Sequence, residues 1–107
     1  MALVTVAATQ MACSWDIEGN VARAEKLVRD AATKGAQIIL IQELFQTPYF
    51  CIDQSPEHFD LAQTLEESPL IQHFSALAKE LDVVLPLSFF ERAGNAHYNS
   101  LVMIDAD

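Results

Sequence analysis

The chain has 107 residues, the size of one ordinary domain, and carries 15 acidic against 6 basic side chains for a formal net charge of −9. Hydrophobic residues make up 51% and charged residues 20%, a globular composition rather than a disordered one. The acidic balance without a Lys/Arg cluster argues against a nucleic-acid partner, and no apolar run approaches the roughly 18–20 residues of a membrane span. Cys13 and Cys51 are too few for a disulfide framework and lack the C-x-x-C spacing of a metal site. Residues 1–10 lack the basic and apolar regions of a signal peptide, so the expectation is a soluble cytoplasmic protein.

Leu3 to Ala8 is short and rich in β-branched residues and reads as a strand. From Ile17 the period changes: Ile17, Val21, Ala24, Val28 and Ala31 form one helical stripe, with Glu25–Arg29 and Lys26–Asp30 as i,i+4 pairs on the other face. Asp16 is a fitting N-cap, and Gly35 can take the left-handed conformation that ends a helix. Ala36 to Ile41 follows at once as an apolar run, which suits a strand buried on both faces. Strand, helix and strand in about 40 residues make a βαβ unit with parallel pairing.

Ser68-Pro69 is an N-cap followed by proline at the first helical position, and Leu70, Phe74, Leu77 and Leu81 mark a second helical stripe ending near Asp82. Val83 to Phe90 reads as a strand in which Pro86 suggests an edge or a bulge. Residues 92–96 form a hairpin connection to a returning strand over 98–104. The expected class is α/β, in the order β-α-β-loop-α-β-β, with one antiparallel pair.

Ligands in open α/β sheets collect beyond the carboxyl ends of the parallel strands, and Glu43 stands just there. Phe45, Tyr49 and Phe50 follow it, so its carboxylate would be partly desolvated and suited to general-base work. The alternative is a solvated carboxylate at a strand end. From Gly35 to Ala78 there is no Lys or Arg, yet Glu43, Asp53, Glu57, Asp60, Glu66 and Glu67 are present. Such a mouth would attract a cationic substrate; the alternative is an ordinary acidic surface. Cys13 and Cys51 read as small buried thiols, and Trp15 as packing for the turn before the first helix. His58, Asp60 and His73 match no common metal spacing, and there is no glycine-rich phosphate loop, so neither a metal nor a nucleotide is expected.

The run Ile38-Ile39-Leu40-Ile41-Gln42-Glu43-Leu44-Phe45 resembles the signature of the nitrilase, or carbon–nitrogen hydrolase, superfamily. The likeness extends over the chain through Thr9-Gln10-Met11, Lys34-Gly35-Ala36, Ser88-Phe89-Phe90-Glu91-Arg92 and Tyr98-Asn99-Ser100. Within the superfamily it is greatest to amidases that act on a cationic carbamoyl compound. The resemblance implies part of an α-β-β-α sandwich, no cofactor, and a homo-oligomeric enzyme. It makes Glu43 the general base of a Glu-Lys-Cys triad in which the cysteine forms a thioester and the lysine steadies the oxyanion. It also implies a small cationic carbamoyl or amide substrate, for which Tyr49, Asp53 and Glu57 are the candidate binding residues. The lysine and cysteine of the triad are not in the chain, because Cys13 and Cys51 come in the wrong order. The expectation is that residues 1–107 form the N-terminal part of a single hydrolase domain, inactive alone, with an uncovered sheet face that invites association. Two other readings stay open: a different amide, nitrile or carbamoyl substrate, or a non-catalytic α/β module that binds a partner through an open sheet edge.

Overall fold

The computed structural model describes residues 2–53 and 55–107. Its elements are β1 (Val6–Ala8), α1 (Ile17–Thr33), β2 (Ile38–Leu40), α2 (Pro69–Leu81), β3 (Leu85–Ala93) and β4 (Ala96–Ile104). Two 3₁₀ segments, Phe50–Ile52 and Pro56–Leu61, lie in the long connection between β2 and α2. The order matches the one read from the chain, and the local reasons hold.

At the start of α1, the Asp16 carboxylate accepts from the Gly19 amide at 3.1 Å. At its end, Gly35 takes φ 95, its amide bonds Ala32 C=O, and the Ala36 amide bonds Ala31 C=O. This is a Schellman turn, and it sends the chain straight back into β2. β1 and β2 pair in parallel, Val6 to Ile38 through Ala8 to Leu40. The start of α2 is capped by Ser68, whose hydroxyl accepts from the Ile71 amide at 3.4 Å. Asp82 ends it in the left-handed region at φ 56, a conformation that Asp tolerates better than most residues.

β3 belongs to a two-stranded sheet, separate from the β1–β2 pair. It pairs with β4 in antiparallel register from Leu85–Ile104 to Ala93–Ala96, and just before it Val84 makes a single parallel bridge to Ile38 of β2. There the Val84 amide donates to Gln37 C=O at 2.9 Å and the Ile39 amide to Val84 C=O at 3.0 Å. The next rung falls to Pro86, which has no N–H, so the β2–β3 ladder stops after one parallel bridge. Proline thus stands where β3 carries no further ladder to β2, in keeping with the edge position read from the chain. The β3–β4 turn uses Gly94 at φ 62 in its first central position.

The two strand pairs, side by side, present two unlike faces. Ile39, Leu85, Leu87 and Ile104 face the helices and pack with Val28, Phe74 and Leu77 in one buried cluster. Each such side chain contributes on the order of 1.5–3 kcal/mol by leaving water. The opposite face is open: Leu40 is 44% exposed, Leu101 57% and Met103 62%. β2 is therefore buried on one face only, against the expectation of two, because both helices lie on the same side of the sheet.

An ionic clamp joins the two helices. Arg29 bonds Glu25 one turn back at 2.8 Å and reaches across to the carboxylate of Glu80 on α2. His73 Nε2 on α2 in turn lies 2.6 Å from Glu25 Oε1. Arg29 holds both carboxyls below the usual Glu range, with His73 adding to the effect on Glu25. Carboxyls whose folded pKa is depressed stabilise the fold above their unfolded value, and that contribution is lost as pH falls through the lowered values. Thermal midpoints measured from neutral pH down through the ordinary Glu range, about 4.3, should fall on acidification. Glu25→Gln should flatten that slope.

Candidate functional site

The segment that leaves β2 is held at three successive residues. The Gln42 side chain pairs with the backbone of Met11, accepting from its amide at 2.7 Å and donating to its carbonyl at 2.9 Å. Glu43 projects to solvent, and its Oε1 accepts from the Asn99 side-chain amide on β4. Leu44 then adopts φ 48, the left-handed region that a branched side chain normally avoids. Its amide donates to Ser88 Oγ on β3 at 3.0 Å, in buried surroundings. This turn drives Phe45 into the core, where it is 0% exposed and meets the edge of Phe74 with centroids 5.6 Å apart. Further on, Asn20 of α1 is buried and donates to Gln46 C=O at 2.9 Å and Ser14 C=O at 2.6 Å.

Glu43 lies in an open cleft of about 420 Å³ on the uncovered sheet face, with Gln42, Ser88, Asn99, Ser100 and Leu101 around it. The carboxylate is more exposed than its aromatic neighbours in sequence suggest. Phe45 has gone into the core, and Phe50 lines the cavities beside the cleft, so neither ring shields it. Tyr49 does come close: the Glu43 charge, and after it Cys51, push its hydroxyl pKa up.

The other candidates sit elsewhere. Asp53 and Glu57 are exposed on the connection and do not line the cleft. Asp53 Oδ2 lies 3.8 Å from His58 Nε2. His58 stacks on Trp15 at 5.6 Å and borders a second cavity of about 340 Å³ with Phe50, Cys51, Phe59 and Phe90. Cys51 is exposed, not buried, because the 3₁₀ turn that points Phe50 inward turns the next side chain out. Cys13 is half-buried, and burial pushes its thiol pKa up against the opposing pull of Arg23. His73 belongs to the helix clamp. Among the described residues no group of three or more His, Cys, Asp or Glu is arranged to hold a metal.

Sequence reasoning did not single out Asn20, Gln42, Ser88 or Asn99 as site residues. For Asn20 a signal existed: it falls one helical step from Ile17, Val21 and Ala24, a polar residue on the stripe destined for the core. The others bond across strands, which local spacing does not reveal. Ser88→Ala should leave the buried Leu44 amide without an acceptor. Urea or thermal unfolding should then show a loss of about 1–3 kcal/mol.

Residues 5–107 match the family model described as carbon–nitrogen hydrolase. The chain is 59% identical over 105 residues to the N-carbamoylputrescine amidase of Solanum lycopersicum, covering 98% of this chain and 35% of that protein. It is 47% identical to a citrullinase of Francisella tularensis, over 100% of this chain and 37% of that one. The crystal structure of a carbon–nitrogen hydrolase from Helicobacter pylori superimposes with a TM-score of 0.84 at 32% identity, covering 97% of this chain and 36% of the other. The chain thus spans about a third of the length of the curated relatives it matches.

Proposed function

The chain belongs to the carbon–nitrogen hydrolase family, and from that premise we propose that it forms the N-terminal third of an amidohydrolase that cleaves N-carbamoylputrescine to putrescine, carbon dioxide and ammonia, a step in polyamine synthesis. The observation that carries the reading is Glu43: a carboxylate at the carboxyl end of a parallel strand, presented in an open cleft on the uncovered face of the sheet. That is where an open α/β sheet gathers its ligands.

In this reading Glu43 is the proton carrier of a Glu-Lys-Cys triad whose other two members lie in the rest of the protein. Glu43 takes the proton of the cysteine thiol as sulfur attacks the carbonyl carbon, and the lysine stabilises the oxyanion. When the C–N bond breaks, Glu43 returns that proton to the departing nitrogen. It then draws a proton from water, whose oxygen attacks the carbamoyl thioester, and passes that proton to the departing sulfur; the carbamic acid released loses carbon dioxide to give the second nitrogen product. No step calls for a cofactor. The remainder of the domain covers the apolar sheet face bearing Leu40, Leu101 and Met103, which completes an α-β-β-α sandwich. The enzyme works as a cytoplasmic homo-oligomer; among the described residues no helix is long and apolar enough to cross a membrane.

The substrate assignment rests on the likeness to amidases of that name and on charge. Residues 35–78 hold six acids and no Lys or Arg, which suits an ammonium end. Tyr49, beside the Glu43 carboxylate, lines the approach, while Asp53 and Glu57 act as longer-range attractors. A citrulline-type substrate is the second reading, favoured by the match to the Francisella enzyme over the whole chain. Relative kcat/KM for the two compounds separates them.

In the full-length enzyme Glu43→Gln should lower kcat about 10²–10⁴-fold with KM little changed. Normal turnover in that variant would remove the triad. Asp53→Asn with Glu57→Gln should raise KM for the cationic substrate up to about fivefold and leave kcat alone. An unmoved KM would take both residues out of substrate capture.

A further inference from the structure

We infer that Asn99 is a positioning residue for Glu43, an inference that rests on the hydrolase reading above. Its side-chain amide donates to Glu43 Oε1 from β4, the strand beyond β3, and both residues border the same cleft. The place of Asn99 is set by a register of nine pairs along the hairpin, in which it lies opposite Phe90. Two positions along β3 from that pair stands Ser88, whose hydroxyl takes the amide of Leu44 at 3.0 Å. One hairpin therefore grips Glu43 twice. β3 fixes the backbone just after it, in a left-handed conformation that a leucine would not hold unaided. β4 fixes the far end of the side chain.

The residue type matters as much as the contact. A carboxylate on an exposed strand end turns freely about its three side-chain torsions, and proton transfer needs one oxygen held within hydrogen-bond reach of the reacting group. A Lys or Arg at position 99 would fix the carboxylate by pairing away its charge. An amide is neutral: it orients Glu43 through Oε1 and leaves the negative charge uncompensated. Asn99 lies within the Tyr98-Asn99-Ser100 run. Ser100 also borders the cleft, but its hydroxyl donates to Glu91 at 2.7 Å. The amide at 99 is thus the member of that run that bonds Glu43.

The test is steady-state kinetics on the full-length hydrolase carrying Asn99→Leu. The expected result is a fall in kcat of about 10- to 100-fold, with KM within about twofold and the thermal midpoint unchanged. Asn99→Gln, which restores a donor on a longer arm, should recover part of the loss. In a Glu43→Gln background Asn99→Leu should cost nothing more, because a positioning residue has no effect once the group it positions is gone. If Asn99→Leu does not fold, Asn99→Ala removes the donor without adding a charge and must show the same fall. An unchanged kcat, a rise in KM alone, or a full additional loss in the Glu43→Gln background would overturn the inference while leaving the hydrolase reading intact. A wild-type enzyme without activity on N-carbamoylputrescine, citrulline or simple amides would overturn both.

Discussion

Leu44 holds a left-handed backbone because the Ser88 hydroxyl accepts its amide inside the protein, and the two residues on either side depend on that bond. A β-strand alternates its side chains between faces, so Glu43 and the buried Ile41 would share a face if the strand simply continued. The turn breaks that alternation. Glu43 is left facing the open side, and Phe45 drops to the helix side to fill the space against Phe74. A strained residue persists only where its surroundings over-determine it, and here they do: Gln42 is locked to Met11, Phe45 is in the core, and Asn20 holds Gln46 from α1. The candidate site is thus built on the rigid part of the molecule, although the Glu43 carboxylate itself is exposed.

The sheet divides the labour between its faces. On the helix side lies the continuous core, and the α1–α2 contact is fastened at its rim by the Arg29 clamp. On the other side apolar residues stand in solvent around the cleft. A face of that kind is where a carbon–nitrogen hydrolase domain would place its second layer, and a shared boundary between layers is where a reacting group gains most from water exclusion. In the proposed reading the cleft is one wall of the site. Pro86 belongs to the same economy of design: by ending the β2–β3 ladder it separates the strands at the level where the Leu44 turn must dock on Ser88.

Much of this could be read along the chain. The α1 and α2 spans, their Asp16 and Ser68 caps, the Gly35 stop, the parallel β1–β2 unit and the hairpin all follow from signals within a few residues of each element. The family resemblance, and with it Glu43, also came from a local run. What was misread depends on distant partners. β2 looked doubly buried because its sequence is apolar throughout, and only the placement of both helices on one side leaves Leu40 exposed. Cys51 looked buried by residue type, until the 3₁₀ turn set its direction.

By itself, then, the sequence determined the element order, the helix boundaries and the identity of the acidic residue at the end of β2, since periodicity, capping and strand-end position are properties of short windows. Tertiary structure decided what surrounds that residue. Ser88, Asn99 and Met11 lie 44, 56 and 31 positions from their partners Leu44, Glu43 and Gln42, and hydrogen bonds of that span exist only once the strands are in register. The direction of a side chain at a turn, and the face of a sheet left open, are set by packing among elements that no local pattern encodes.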